Sequence, residues 1–370
     1  MARKGENIYK RKDKRWEGRY RIGYKRDGTI AYGYVYAHSY SEVRNKLLPL
    51  KAFYANKSID KVKEFGTFSE WSQFCMRNLI YDKVKPSTYA GYNYKLTKYI
   101  LPELGDLKLQ LIKEENIKQY IQSLQARGLS AGSINTIFRI LNQIISKAYQ
   151  QGFMQNNPCS LIELPRRTKQ IKKVLTIKEQ QSLVQEALKE PTCSPIILSL
   201  YTGMRIGEIS ALKWENISLD EGEIYICQTL QRIYQPNKEG KKTRIYIGRP
   251  KTESSVRIIP ISPHLRKYLN EKKQFSDSPY VINVKGSFAE PRVITDRSLS
   301  VSRQAGLEDF HFHCLRHTFA TRALEQGADI TNLSYIMGHA SSKMTLDTYT
   351  TSLEEQRRHT MNLVDNLFQY

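Results

Sequence analysis

Two stripes of aliphatic residues at helical spacing leave the middle of this chain little choice but a pair of packed helices. Ile117, Ile121 and Leu124 form the first stripe, Ile134, Ile137, Leu141 and Ile144 the second, and Gly128 separates them. The spacing predicts helices over 114–126 and 130–151. Upstream, Thr67-Phe68-Ser69-Glu70 fits a capping box that opens a helix through Trp71, Phe74, Cys75 and Leu79. Lys85-Pro86-Ser87-Thr88 opens another, which carries Tyr89, Tyr92, Leu96 and Tyr99 until Pro102 and Gly105 end it. Residues 64–156 therefore read as an all-helical domain whose stripes are its core rather than a ligand site.

A different periodicity precedes it. Tyr20, Ile22 and Tyr24 alternate with Arg19, Arg21 and Lys25, Asp27-Gly28 marks a turn, and Tyr32, Tyr34 and Tyr36 alternate again. This predicts a hairpin with an apolar and a basic face, covered by a helix from near Ser41 through Val43, Leu47 and Leu50. A sheet of that width fits a DNA major groove, which makes Arg19, Arg21, Lys25 and Arg26 candidates for DNA contact; the plainer reading is that they solvate a small sheet. Residues 1–63 hold 17 Lys and Arg against 6 Asp and Glu, a net +11 that is half of the chain's +22.

After the helical domain, Asn157-Pro158 and the basic run through Pro165, Arg166 and Arg167 read as a linker, 157–173. Lys85, Arg166 and Arg167 join the candidates for phosphate contact. Thr176 with Glu179 forms a second capping box and opens a long domain, 174–370. Within it 223–230, 243–247 and 255–261 alternate like strands. The expected fold class is multidomain, mainly α with small β-sheets: a sheet-plus-helix domain, an all-α domain and a mixed, mainly-α domain.

Among 370 residues a formal charge of +22 points to a polyanionic partner, nucleic acid first. No apolar run approaches the roughly 18 residues of a spanning helix. Met1 to Glu6 leads into no signal-like stretch, so a cytoplasmic protein is expected. Cys75, Cys159, Cys193, Cys227 and Cys314 stand singly, which suggests buried reduced thiols rather than disulfides or a zinc ribbon.

The residues with chemistry to offer lie in the last domain. In Thr202-Gly203-Met204-Arg205-Ile206-Gly207-Glu208 an apolar helix meets a glycine and turns into another helix. Arg205 falls near the start of that second helix, a natural anion site, with Glu208 three residues on to hold the guanidinium. In His311-Phe312-His313-Cys314-Leu315-Arg316-His317-Thr318, His313 and Arg316 are spaced to share a helix face and reach one small anion. Gly338-His339 breaks a further helical pattern, and Tyr349 follows ten residues later in a polar run. The His and Cys of this group have no second cluster at zinc spacing, and no metal is expected. A guanidinium, two imidazoles and a phenol suggest phosphate chemistry.

These motifs, with Pro250-Lys251-Thr252 between them, stand in the order and approximate spacing of the tyrosine recombinases, the phage integrase family. The whole chain resembles integrases of conjugative transposons and temperate phages. That resemblance implies an arm-type DNA-binding domain (1–63), a core-binding domain (64–156) and a catalytic domain (174–370). It implies that Tyr349 is the nucleophile, that Arg205, Arg316 and His339 hold the phosphate, that His313 assists proton transfer and that Lys251 protonates the leaving 5′ oxygen, with Glu208 and His317 in support.

The bond energy would be kept as a 3′-phosphotyrosine, with no ATP, metal or other cofactor. Four protomers on double-stranded DNA, with core-type and arm-type sites and an accessory bending or excision factor, belong to the same expectation. The tail 354–370 would then dock on a neighbouring protomer, or else pack on its own domain. This chain departs from the commonest pattern in two places: ten residues rather than nine separate His339 from Tyr349, and Thr351 stands where a histidine is usual. A type IB topoisomerase-like nicking enzyme and a non-catalytic DNA-binding regulator of the same fold are the alternative readings.

Overall fold

A computed structural model describes residues 7–24, 30–55, 66–166, 173–235, 240, 242–250, 253–349, 361, 362 and 365. The chain divides into two units, Met1–Lys169 and Gln170–Tyr370. It is mainly helical with small antiparallel sheets, the multidomain class its patterning predicts. No helix among the described residues is long and apolar enough to cross a membrane.

In the first unit β1 (Ile8–Lys10), β2 (Trp16–Tyr24) and β3 (Ile30–Ala37) form a sheet in that order. The register sets Arg19 opposite Tyr34 and Arg21 opposite Tyr32, so the tyrosines of β3 stand on the basic face and not against the core. The Arg19 guanidinium lies 4.2 Å from the centre of the Tyr32 ring. The other face turns Tyr20 and Ile22 into a core shared with Val43, Leu47 and Leu50 of α1 (Tyr40–Ala55). The turn expected at Asp27-Gly28 lies outside the described residues. Further along α1, Phe53 stacks on Phe74 with ring centres 4.4 Å apart, and the Tyr54 hydroxyl donates to Gln151 Oε1 at 2.7 Å. Sheet and helices therefore share one core.

The capping box at Thr67 and Glu70 forms and opens α2 (Phe68–Cys75), which continues through a wide π turn, Met76–Ile80. Next come α3 (Pro86–Lys95), a second π turn at Leu96–Ile100 and α4 (Leu101–Leu104). Pro102 does not itself end the helix: it sits in α4, which runs on directly from the π turn, and the helix stops at Leu104 with Gly105 as its cap. The two central stripes become α5 (Glu114–Ala126) and α6 (Ala131–Gln150). At about 1.5–3 kcal/mol per fully buried aliphatic side chain, the stripe of α6 outweighs intrinsic helix propensity in holding it. The beginning of the expected linker is tied to α6. Asn157 donates to Asn142 Oδ1 at 3.1 Å and to Ser146 Oγ at 3.0 Å, and Asn135 donates to the Pro165 carbonyl at 3.0 Å.

The second unit begins with α7 (Ile177–Lys189), capped by Thr176 and Glu179, then α8 (Ser194–Thr202) and α9 (Ile206–Ala211). Strands β4 (Ile217–Ser218), β5 (Glu223–Ile226), β6 (Thr229–Tyr234), β7 (Thr243–Gly248) and β8 (Arg257–Pro260) follow. The expected strand 223–230 is in fact two. Ile224 and Ile226 are buried, but Gln228 breaks the alternation where the next inward residue belongs, and the chain leaves one sheet for another. The result is a three-stranded sheet, β4-β5-β8, and a hairpin, β6-β7. Beyond them lie α10 (Pro263–Gln274), the short pair β9 (Asn283–Val284) and β10 (Ser287–Phe288), α11 (Pro291–Gln304), α12 (His313–Glu325), α13 (Ile330–Met337) and α14 (Ser342–Tyr349). A core of its own, from Leu175 to Leu315, holds this unit.

Candidate active site

The site grows from two helix ends that face each other. Buried α8 stops at Gly203, whose φ of +66° is the left-handed conformation that glycine adopts cheaply. A Cβ there would also fall 2.6 Å from Phe319 Cδ1. Two residues later Arg205 caps α9. Its backbone N–H donates to Glu208 Oε2 at 3.0 Å and its guanidinium to Oε1 at 2.9 Å. Glu208 is 3% exposed and also takes the fork of Arg257, Nη1 to Oε1 at 3.2 Å and Nη2 to Oε2 at 2.9 Å. Burial pushes the Glu208 pKa up, but the Arg257 charge and hydrogen bonds, joined by those of Arg205, more than offset this and hold the carboxyl below its ordinary value.

The second helix end is that of α13. Its last carbonyls have no helical partner and carry the negative end of the helix dipole. Three consecutive ones each accept from a different arginine. Ile336 takes Arg257 Nε at 2.6 Å, Met337 takes Arg316 Nη2, and Gly338 takes Arg205 Nη2 at 3.0 Å. Arg316 Nη1 donates as well to the Gly203 carbonyl, so the same guanidinium ties the end of α8 to the end of α13. Gly338 has φ +61°, and a Cβ on it would come within 3.0 Å of Arg257 Nη1.

His339 follows directly. Its Nδ1 is 2.8 Å from Oγ1 of the buried Thr345, which links it to α14, and Tyr349 is the last residue of that helix. The Tyr349 side chain lies outside the described residues, as does Lys251. The structure thus gathers Arg205, Glu208, Arg316 and His339. His313 and Arg316 lie three residues apart at the start of α12 and differ in burial. His313 is exposed with its ring edge-on to the buried His317, centres 4.6 Å apart, whereas Arg316 is 2% exposed. Burial pushes the Cys314 thiol up to about 11. Among the described residues no three His, Cys, Asp or Glu side chains are grouped to hold a metal ion.

Arg257 escaped the sequence reading. Its signal was there: in the alternating strand 255–261 it shares the inward phase with Ile259, and a charge in that phase needs a partner. Of the residues read as DNA contacts, Arg19 and exposed Arg21 lie on β2, exposed Lys85 caps α3 and Arg166 is exposed at the end of the described part of the first unit. Lys25, Arg26 and Arg167 lie outside the described residues.

Comparison with known proteins places this arrangement. Residues 67–125 match the model of the phage integrase N-terminal SAM-like domain. The tyrosine recombinase XerC-like protein of Caldanaerobacter subterraneus subsp. tengcongensis is 26% identical over 308 residues, 77% of this chain and 79% of that protein. The ICEBs1 integrase of Bacillus subtilis is 23% identical over 76% of this chain and 78% of its own length. The fold is similar to that of the Tn1549 transposon integrase in complex with a circular intermediate DNA, with TM-score 0.66 and 22% identity over 80% of this chain and 100% of that one. It is also similar to a lambda integrase dimer bound to a COC′ core site, with TM-score 0.61 and 19% identity over 94% and 96%. The phage integrase family model matches residues 167–356, just over half of the 370 and inclusive of every side chain gathered at the two helix ends, and the chain belongs to that family.

Proposed function

We propose that the protein is a site-specific DNA recombinase of a mobile genetic element, which cuts and rejoins strands through a 3′-phosphotyrosine on Tyr349. The observation that carries this is the convergence of three guanidiniums on consecutive carbonyls beside His339, whose ring is joined to the helix that ends in Tyr349. Glu208 offsets one of these positive charges and helix-end carbonyls only fractions of others, a balance that favours an incoming anion. A phosphodiester under attack gains charge on its nonbridging oxygens, and preorganised arginines meet that charge without metal.

In this reading Arg205, 36% exposed at its side chain, touches the phosphate, while buried Arg316 adds its charge through the low-dielectric interior. His339 donates to the same phosphate. His313 moves a proton and Lys251 protonates the leaving 5′ oxygen. A phenol suits the nucleophile because its pKa of roughly 10 makes it a stable oxyanion beside several cations and a leaving group that a 5′ hydroxyl can displace. The finer reading has residues 1–63 on arm-type sites through Arg19 and Arg21, residues 64–156 on core-type sites, and four protomers on the DNA with an accessory factor setting direction. The names of the relatives, integrases and tyrosine recombinases, support the recombination itself.

The test is a duplex nicked near a candidate end of the element, incubated with the protein and run on a denaturing gel. A covalent protein–DNA band is expected for the wild type and none for Tyr349→Phe. Specific binding without a band would favour a regulator, and a band that survives the substitution would move the nucleophile elsewhere.

A further inference from the structure

Arg257 is among the largest fully buried side chains of the described residues, and it has no part of its own in the steps above. A buried guanidinium is costly unless its donors are met, and here they are met by three separate pieces of the site. The fork grips both oxygens of Glu208 on α9. Nε reaches the Ile336 carbonyl on α13 at 2.6 Å, and Nη1 reaches the Ser255 carbonyl at 3.0 Å, four residues after Lys251 in sequence. Gly338 lies against its far side, so close that a Cβ would touch Nη1, Cδ and Cζ. Glu208 in turn holds Arg205, and Gly338 leads straight into His339.

We infer that Arg257 is a positioning residue for strand cleavage: by holding Glu208 and the end of α13 at once, it sets the distance between Arg205 and His339. The inference rests on the proposed roles of Arg205, His339 and Tyr349. A planar fork can meet a carboxylate and a carbonyl together, whereas a lysine presents one point of charge and cannot span them. Arg257→Lys therefore keeps the buried charge and loses the geometry.

The experiment uses the full chain and two versions of the nicked duplex, one with the natural phosphate at the cleavage position and one with a methylphosphonate, in which a methyl group replaces a charged oxygen. Adduct formation is followed in single turnover at saturating protein, and binding by gel shift. Arg257→Lys is expected to bind both duplexes as the wild type does and to form adduct about 100-fold more slowly on the phosphate, the size of loss that a misplacement near 1 Å produces. On the methylphosphonate the loss should shrink below tenfold, because Arg205 then has less charge to meet. A merely structural role would slow both substrates alike, and that result, or wild-type rates on both, overturns the inference. Should Arg257→Lys prove unstable, Glu208→Asp shortens the same link and should show the same dependence on substrate. Arg205→Ala and Tyr349→Phe run beside them: if these remain active the catalytic reading itself fails, and if they are defective while Arg257→Lys is fully active only the positioning role fails.

Discussion

Glu208 accepts from two arginines and a backbone N–H while almost wholly buried, so its charge is worth more to the fold than a surface ion pair would be. Replacing it with glutamine strands the buried Arg257 charge, which should cost about 3–5 kcal/mol near neutral pH. The cost should depend on pH in a fixed direction. The folded-state pKa is depressed below the unfolded value of about 4.3, so the stabilisation is present above that value and is lost as pH falls through the folded pKa. Urea unfolding of wild type and Glu208→Gln at pH 7 and again near pH 3 should therefore show a wide gap that narrows in acid. A gap that stays constant would mean that the Glu208 pKa does not change on folding, and one that widens in acid that the folded carboxyl is held neutral. The pairing of Arg205 with Glu208 was legible in sequence, because three residues at the start of a helix bring a guanidinium to a carboxylate. The pairing with Arg257 was not, since 49 residues separate the two and only a strand phase hinted at it.

The end of α13 shows why most elements could be read and their meeting could not. Stripes, capping boxes and helix-ending glycines act within a few residues, so α2, α5, α6 and α7 lie about where their patterns put them. The split into β5 and β6 depends on which sheet each strand joins, and the three arginines on α13 depend on chain brought from α9, β8 and α12; neither is written in local periodicity. One more link of this kind joins α13 to α14, the contact of His339 with buried Thr345. Thr345→Val keeps the shape and removes the hydroxyl, leaving an imidazole nitrogen without its partner. Losing a hydrogen bond at a half-buried group costs about 1 kcal/mol. If that loss is felt where His339 meets the phosphate, adduct formation should slow by roughly fivefold with DNA affinity unchanged. Thr345→Ser should restore most of the rate. Equal loss in both variants would assign the effect to packing of α14 instead.

Each of the two units has its own core, and the cysteines sample both. Cys75 and Cys159 are buried in the first, Cys193 and Cys314 in the second, and Cys227 lies half-buried between β5 and β6. Burial pushes Cys75 and Cys159 each up to about 12 and Cys314 to about 11, and raises Cys193 and Cys227 as well. Thiolate is the form that alkylates, so at pH 8 the four core thiols should react only when their surroundings open. Brief iodoacetamide pulses along a urea series, read by mass spectrometry, should then label Cys227 first, without denaturant. Cys75 and Cys159 should follow with one shared midpoint and Cys193 and Cys314 with another, because members of a pair leave water-excluded surroundings in the same cooperative event. Four coincident midpoints would mean that the cores unfold as one, while a split within either pair would mean that a core assigned here as continuous comes apart in pieces. Labelling of Cys314 in native buffer would be the most damaging result, since that thiol sits two residues before Arg316 and its reaction would require the start of α12 to open under conditions in which the site must stay assembled.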